Sequence, residues 1–469
     1  MSAAVDNKTP IDDTTDERLR ALSERLVEEM ERLEVPGVAL GVTHGDSEQM
    51  AGFGVTSIAN PLPVNEDTLF QVGSTTKTVT GTIAMKLVEE GKLDLDEPVR
   101  AYLPEFRLGS EEIAGRVTLR HLFTHTGGWF GDYFDDLGPG DDALGRIVGK
   151  MVELPQVTPL GEVWSYNNAG FYLAGRIIEM ITGQPYEQVA RTMVLEPLGM
   201  KTSFFFAAEA ITYRVAIGHN NPYEDGKFQL KIARPWALPR VANPIGGLVS
   251  TVRDQLRYAR FHMGDGTAED GTRLLSAEAM ELMKTPHVAA ADGQMFGITW
   301  FLREIDGTWV VRHGGATNGQ MSAFVMVPAQ KFAITVLTNA DRGGELHQEI
   351  VKLALEQYVG LKQPDPDVIE VAEAGLAQYA ALYTGDMADL RLYVKEGTLY
   401  LQDIPKLALP GAELEPPGPA VRLGVCGDDY VKVLDEPGKG TRGEFLRGPG
   451  GDIRWFRVWG RVFKYTKEE

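Results

Sequence analysis

The sequence predicts an α+β fold: an antiparallel sheet flanked by helices, an inserted helical lobe and a small C-terminal antiparallel β-barrel. Three observations favour this fold. Helix and strand patterns open the chain, a helical and loop-rich stretch occupies its middle, and strand patterns return near residue 295. Beyond residue 363 the pattern changes to short alternating strands separated by turns. At 469 residues the chain is also too long for one ordinary core.

The chain opens with a helix and two strands. Apolar residues recur at helical spacing over residues 15–33, and Thr14 and Glu17 match a capping box at the start of this helix. A buried strand is predicted at residues 38–42, and a second strand at residues 49–55. Helix and strand therefore come first in the fold.

The rest of the first domain is helical and then β-rich. A long helix is predicted at residues 78–90, and a mostly helical, loop-rich section follows to about residue 200. Strands then return as an antiparallel meander, which a helix at residues 346–358 completes. The predicted strands of the meander are residues 298–303, 309–312, 321–327 and 332–338.

The last hundred residues differ from the rest in their pattern of apolar and polar residues. A stiff polar linker occupies residues 363–367. Residues 392–401 read as two alternating strands around a turn, and residues 453–465 alternate in the same way. We therefore predict two domains, residues 1–362 and residues 363–469, the second of them a small antiparallel barrel.

Composition and charge exclude several function classes. The chain is 43% hydrophobic and 24% charged, with a net charge of −20. Such an acidic chain repels phosphate backbones and anionic membranes, so neither nucleic acid nor a membrane is expected as a partner. The N-terminus has no basic start and no apolar run, which predicts a cytoplasmic protein without a signal peptide. The single cysteine, Cys426, excludes an internal disulfide.

The first candidate for chemistry is the pair Ser74 and Lys77. The two residues stand three positions apart at the predicted start of a helix, where that spacing places them on one face. A lysine amine against a serine hydroxyl can help to remove its proton and make it a nucleophile. The pattern is common by chance in a long chain, so its weight depends on two further motifs.

The second candidate is Tyr166 with Asn168, between a turn and an amphipathic helix at residues 170–182. Near a lysine ammonium a phenol loses its proton more easily, because the positive charge stabilises the phenolate. Tyr166 is therefore a candidate general base and then general acid. Asn168 is placed to orient the lysine and to donate an amide hydrogen bond to a substrate.

The third candidate is His313-Gly314-Gly315, between strand-like runs. Two glycines on a strand let a substrate backbone approach closely. The backbone N–H groups of Ser74 and Ala316 are placed to form an oxyanion hole. In isolation His313 would be interpreted as a satisfied histidine next to a tight turn.

Two other polar segments are interpreted as structural. His121 and His125 are four residues apart on a predicted helix, but no glutamate lies between them in the position that zinc proteases use. Residues 129–142 contain five aspartates without the order or closing glutamate of an EF-hand. We therefore predict no metal site, a helix end at the histidines and a mobile, solvated loop at the aspartates.

Several segments occur together in an order typical of one family. The chain resembles the serine β-lactamase and penicillin-binding-protein superfamily, in its class C and CubicO-like branch, over about residues 15–360. The C-terminal section resembles the lipocalin-like barrel of D-aminopeptidases and related serine peptidases. The matching segments are residues 70–77, 120–128, 166–168, 243–251 and 313–315.

The resemblance implies a β-lactamase/transpeptidase-like fold and a serine hydrolase that works through an acyl-enzyme. Ser74 would be the nucleophile, and Lys77 would hold Ser74 and Tyr166 in a proton-transfer network. Tyr166 would carry the proton to the leaving group and activate the deacylating water. Asn168 would bind Lys77 and the substrate amide. No metal or organic cofactor is implied, and the expected partners are a small-molecule, short peptide or ester substrate and a second copy of the chain in a homo-oligomer.

The third motif departs from the family pattern. Class C β-lactamases usually carry Lys-Thr-Gly there, whereas His313 and Gly314 replace the lysine and the threonine in this chain. A fixed ammonium suits a β-lactam carboxylate, but a histidine is charged only at lower pH, so strong β-lactamase activity is not expected. His313 and Gly315 would still lie on the strand beside the substrate.

Two activities remain open at this point. A peptidase or amidase acting on short peptides, including peptides with D-residues, is favoured by the His-Gly-Gly motif and the extra domain. A broad-range carboxylesterase is favoured by the aromatic residues 129–134, which would wall an apolar acyl pocket. A weak β-lactamase or a penicillin-binding protein is a further alternative.

Overall fold

The structure, a computed structural model, describes residues 16–224, 226–406, 414 and 416–467. Within these residues, none of the helices has the length and apolar character that crossing a bilayer requires. The helices are α1 Glu17–Leu33, α2 Thr76–Glu89, α3 Glu111–Ala114, α4 Leu119–Phe123, α5 Ala143–Gly149, α6 Ala169–Thr182, α7 Tyr186–Ala190, α8 Ala207–Ala210, α9 Asn243–Gly246, α10 Val252–Met263, α11 Ala277–Lys284, α12 Gly343–Val359 and α13 Glu373–Leu376.

Short strand pairs and two larger β-structures complete the chain. The strands are β1 Gly37–His44, β2 Ser47–Gly54, β3 Phe70–Gln71, β4 His219–Asn220, β5 Tyr223–Glu224, β6 Lys227–Phe228, β7 Lys231–Ile232, β8 Val249–Ser250, β9 Val288–Ala289, β10 Met295–Phe296, β11 Phe301–Ile305, β12 Thr308–Thr317, β13 Gln320–Val327, β14 Phe332–Thr338, β15 Ala381–Thr384, β16 Ala388–Lys395, β17 Thr398–Pro405, β18 Val421–Gly427, β19 Tyr430–Val433, β20 Arg442–Arg447, β21 Ile453–Val458 and β22 Arg461–Thr466.

An eight-stranded antiparallel sheet forms the centre of the predicted first domain, in the order β2-β1-β14-β13-β12-β11-β10-β9. β1 pairs with β14, the last strand of this sheet in chain order, with Leu40 opposite Val336. One core cluster joins the sheet to α1 and α12. A larger cluster contains the apolar residues of α2, α6 and α10, so helices flank the sheet as the sequence predicted.

The predicted elements differ from the structure mainly at their ends. The long helix begins at Thr76, two residues before its predicted start, and β12 extends to Thr317 and so includes the His-Gly-Gly motif. A strand predicted at residues 298–303 is wrong in its first half, because the chain bends at residues 298–299 and Thr299 has a positive φ of 65°.

The first helix is capped differently from the prediction. The side chain of Asp16 accepts a hydrogen bond from the backbone N–H of Arg18, so Asp16 is the N-cap of α1. Thr14, the first residue of the predicted capping box with Glu17, lies outside the described residues.

The C-terminal section is a closed barrel of eight antiparallel strands, β15 to β22, in which β15 pairs with β22. Tyr383, Phe445 and Phe456 belong to its core cluster. Small barrels are filled by side chains in this way. The predicted antiparallel barrel is therefore confirmed.

Arg457 of β21 fastens the barrel to the first domain. Its guanidinium donates to the backbone carbonyls of Trp164 at 2.9 Å and Ala290 at 3.0 Å, and to the Glu444 carboxylate at 2.8 Å. Both charged side chains are buried, at 5% and 8% exposure. The barrel therefore docks through a buried ion pair whose remaining hydrogen bonds cross to the first domain.

Replacing Arg457 by methionine is expected to destabilise the protein by about 3–5 kcal/mol, because Glu444 would stay buried without its partner. The free energy of unfolding would be measured by urea denaturation. Arg422→Met is the matched control, since Arg422 pairs with Asp435 on the barrel surface and is 52% exposed. An unchanged midpoint for Arg457→Met, or an equal loss in the control, would contradict this role.

Candidate active site

Ser74 lies in a 3-10 turn, Gly73–Thr75, that leads directly into α2. Gly73 has a positive φ of 52°, and a Cβ there would lie 2.6 Å from the backbone nitrogen of Ala316. Only glycine fits such a backbone beside such a close neighbour. The turn leaves Ser74 partly exposed at the start of the helix, as the Ser-x-x-Lys pattern predicts.

Lys77 is held against Ser74 inside the protein. Its amine contacts the Ser74 hydroxyl at 3.1 Å and donates to the carbonyl of Ile245 at 2.6 Å. The Lys77 side chain has no exposed surface. The structure therefore brings together the two residues that the sequence placed at the centre of the chemistry.

Burial lowers the pKa of Lys77 well below its ordinary value, because a charged ammonium loses its hydration in the interior. The positive charge of Arg461 lowers it further, and the Asp132 carboxylate acts in the opposite direction. A neutral amine has a free lone pair. Lys77 in this form can accept the proton of the Ser74 hydroxyl.

Tyr166 stands beside this pair with its side chain buried. The Lys77 amine lies 5.0 Å from the centre of the Tyr166 ring, and the phenol oxygen has no hydrogen-bond partner within the described residues. We predicted that a lysine ammonium would ease the loss of the phenol proton. That prediction is wrong in direction: burial raises the pKa of Tyr166, and the nearby Ser74 hydroxyl offsets only part of the rise. Tyr166 is a protonated group, suited to donate.

Asn168 has a different partner from the one predicted. Its amide donates to the Asp132 carboxylate at 2.6 Å, and the hydrogen bonds of Lys77 go to Ser74 and Ile245 instead. Asp132 belongs to the segment that the sequence assigned to a mobile, solvated loop. Its side chain is only 16% exposed, so this part of the prediction is wrong. The sequence does contain a signal for the burial of Asp132, since this acid stands among the aromatic residues of the segment Trp129 to Phe134.

The glycines of strand β12 lie next to Ser74. A Cβ on Gly315 would lie 1.9 Å from the carbonyl oxygen of Val72 and 2.7 Å from the backbone nitrogen of Ser74. Gly314 and Gly315 are partly exposed and Ala316 is exposed, so this edge is open to a substrate. The oxyanion hole of Ser74 and Ala316 stays a prediction.

His313 is buried and neutral. Its Nδ1–H donates to the carbonyl of Gly314 at 2.6 Å, and burial, assisted by Lys77, lowers its pKa to about 3. The imidazole therefore carries no charge near neutral pH. It does not replace the ammonium of the Lys-Thr-Gly motif.

His125 belongs to the site although the sequence assigned it to a helix end. It follows α4, its ring centre lies 4.3 Å from that of Tyr166, and its Nδ1 accepts the backbone N–H of Asn167 at 3.0 Å. Burial lowers the pKa of His125 well below its ordinary range. The neutral ring thus supports Tyr166 from one side.

Arg461 of the barrel is the residue beside the candidate site that the sequence least indicates. Its guanidinium bonds both oxygens of Asp132, at 2.7 and 3.0 Å, and lies 4.7 Å from the centre of the Tyr166 ring. It is 329 positions from Asp132 along the chain, so no local pattern identifies it.

The histidines that sequence analysis considered as metal ligands have other partners. His121 Nδ1 contacts the Thr118 hydroxyl at 2.9 Å and helps to cap α4, whereas His125 bonds Asn167. Across the described part of the chain, no three His, Cys, Asp or Glu side chains form a cluster that could hold a metal ion.

Comparison with known proteins supports the sequence resemblance. A family model described as beta-lactamase matches residues 22–358. Penicillin-binding protein 4 of Amycolatopsis lactamdurans is 36% identical over 338 residues, which cover 71% of this chain and 88% of that protein. Esterase EstB of Burkholderia gladioli is 34% identical over 214 residues, 42% of this chain and 52% of that protein.

Among solved structures, that of SurE with D-Leu has a similar fold. The TM-score is 0.73 at 24% sequence identity, and the match covers 96% of this chain and all of that one. The structural similarity therefore extends over both the sheet domain and the barrel.

Replacing Lys77 by methionine is expected to lower kcat/KM for a p-nitrophenyl ester by about 10²–10⁴-fold, because Ser74 would lose its proton acceptor. The rate would be followed as p-nitrophenolate release at neutral pH. Lys86→Met is the control, since Lys86 lies on the same helix and its amine faces the Leu274 carbonyl. Full activity in Lys77→Met would contradict the role of the amine.

Proposed function

The chain belongs to the beta-lactamase family of serine hydrolases, and we propose that it hydrolyses acyl compounds through a covalent acyl-enzyme on Ser74. The observation that carries the proposal is the 3.1 Å contact between the Ser74 hydroxyl and the amine of a completely buried lysine. An amine kept neutral by burial is a base that works near neutral pH.

The proposed reaction has two stages. As the Ser74 oxygen attacks the substrate carbonyl, Lys77 takes the hydroxyl proton and the backbone N–H groups of Ser74 and Ala316 bind the oxyanion. Tyr166 donates its proton to the leaving group as the bond from carbonyl carbon to nitrogen or oxygen breaks. Water then attacks the acyl-enzyme and gives a proton to the Tyr166 phenolate. The bond from the carbonyl carbon to the Ser74 oxygen breaks, and Lys77 returns its proton to Ser74 as the acid is released.

We propose an amide as the substrate bond. An amine leaves only when it receives a proton, whereas the alcohol of an activated ester leaves more easily. Tyr166 is protonated at neutral pH with or without the rise in its pKa, so the phenol can supply the proton that an amide leaving group needs. We therefore propose a peptidase or amidase on short peptides. The bound D-Leu of the SurE structure supports D-residues among its substrates.

A broad-range carboxylesterase is the second candidate, supported by the similarity to esterase EstB. The aromatic segment offers it less support than expected. Phe130, Tyr133 and Phe134 pack against the main core, and the Tyr133 hydroxyl donates to the Ile147 carbonyl. These rings are therefore partly engaged within the protein.

A weak β-lactamase or penicillin-binding role remains a third candidate. The similarity to penicillin-binding protein 4 supports acylation by penicillin. The neutral His313 offers no cation for a β-lactam carboxylate, so turnover is expected to be slow.

The domain division at residues 362 and 363 is likewise a proposal. The family match ends at residue 358, and the first barrel strand begins at Ala381, which supports it. The cytoplasmic location and the homo-oligomer stay predictions.

Intact-protein mass spectrometry tests the proposed function. The wild type, Ser74→Ala and the control Ser47→Ala, an exposed serine on β2, would each receive a p-nitrophenyl ester, a D-alanyl p-nitroanilide and a penicillin. We expect a transient adduct and anilide turnover in the wild type and the control, and neither in Ser74→Ala.

Turnover confined to the ester would favour the esterase, and a lasting penicillin adduct would favour the penicillin-binding role. An unlabelled Ser74 with all three probes would contradict the proposal.

A further inference from the structure

The hairpin between β21 and β22 of the barrel reaches into the candidate active site. Its turn consists of Trp459 and Gly460, both with positive φ, at 52° and 73°. Glycine and asparagine favour this two-residue turn, and a bulky tryptophan there is a strained exception. Such strain persists where surrounding contacts hold it, and it is often found at functional sites.

The turn is bonded directly to the segment that carries Tyr166. The carbonyl of Gly460 accepts the backbone N–H of Tyr166 at 2.8 Å, and the Ser165 hydroxyl accepts the backbone N–H of Val462 at 3.3 Å. A Cβ on Gly460 would lie 3.4 Å from the Trp164 ring and 3.6 Å from Tyr166 Cβ. The hairpin therefore packs on the backbone that sets the position of the phenol.

Arg461, the next residue, continues this contact with its side chain. Its guanidinium makes a two-point bond to Asp132 and also donates to the carbonyl of Trp459 at 2.9 Å, while its face lies over the Tyr166 ring. The other end of the contact is Asn168, whose amide shares Asp132 Oδ1 with Arg461. Two-point arginine–carboxylate pairs fix geometry as well as charge.

We propose that Arg461 is a positioning residue of the active site, which acts with Asp132 to hold Tyr166 and Asn168 in place beside Ser74 and Lys77. The proposal rests on the acyl-enzyme function above and extends it: the barrel supplies part of the catalytic arrangement.

The charges around Lys77 give this role a measurable signature. Arg461 lowers the pKa of Lys77 and Asp132 raises it, whereas His125 and His313 face the amine as neutral rings because burial lowers their pKa values. Activity that needs the neutral amine rises as pH rises through the pKa of Lys77. Removing Arg461 must therefore move this rise to higher pH, and removing the Asp132 charge must move it to lower pH.

The test uses the full chain with Arg461→Met, Arg461→Lys and Asp132→Asn. Arg454→Met is the matched control, because Arg454 lies on β21 of the same hairpin and is 51% exposed. Thermal unfolding confirms that each variant is folded. kcat and KM for the p-nitrophenyl ester would then be measured across the pH range.

We expect Arg461→Met to lower kcat on the order of 10²-fold, the loss typical of a misplaced catalytic group. Its pH profile should move to higher pH and that of Asp132→Asn to lower pH. Arg461→Lys should restore part of kcat and the profile, since it keeps the charge and loses the two-point geometry. The control should match the wild type.

Three results would overturn the proposal. The first is a wild-type kcat and pH profile in Arg461→Met, and the second is a rise in KM alone in this variant, which would indicate direct substrate contact. The third is a pair of pH profiles that move in the same direction in the Arg461 and Asp132 variants. If Arg461→Met does not fold, Arg461→Lys and Asp132→Asn decide between these outcomes. In each case acylation of Ser74 in the wild type would leave the proposed function intact, whereas a wild type that is not acylated would contradict the function itself.

Discussion

The burial of the Lys77 amine against the Ser74 hydroxyl is the constraint on which the rest of the site depends. An ammonium without exposed surface loses its hydration, which lowers the pKa of Lys77 and favours the neutral form, the form that can accept the serine proton. The charges of the surrounding groups are consistent with a neutral Lys77 amine. His313 is neutral, Tyr166 holds its proton, and Arg461, the cation that lowers the pKa of Lys77, is bonded to Asp132. This arrangement supports the proposed roles of Lys77 as the base and Tyr166 as a separate acid.

The barrel meets the rest of the chain at the candidate active site. The buried Arg457 joins the barrel to the backbone of the first domain, and the following hairpin reaches the segment that carries Tyr166. A barrel joined only by a flexible linker would leave this segment free to shift, and small displacements of catalytic groups are costly in rate. The contacts that dock the barrel therefore also fix the position of the Tyr166 phenol.

Local motifs were predictable from the sequence, and long-range contacts were not. Ser74 and Lys77 are three residues apart, and a helix start fixes their relation, so the spacing together with the two further motifs identified them as a candidate pair. Asp132 and Arg461 meet only because the barrel packs against a segment 329 positions earlier in the chain, which no short pattern encodes. The direction of the Tyr166 pKa was wrong for the same reason, since burial is a property of the folded chain. The outline of sheet and barrel was predictable because alternating strands show in short windows.

The central claim is tested most directly by the pKa of Lys77 itself, measured by NMR titration of the free protein with ¹³C-labelled lysine and assigned with Lys77→Arg. We predict that its side-chain carbon shifts titrate well below the ordinary lysine value of about 10.4, so that the amine is neutral while Tyr166 is still protonated. A Lys77 that stays protonated up to the ordinary lysine pKa would contradict the account, because the proposed proton acceptor of Ser74 would then be occupied.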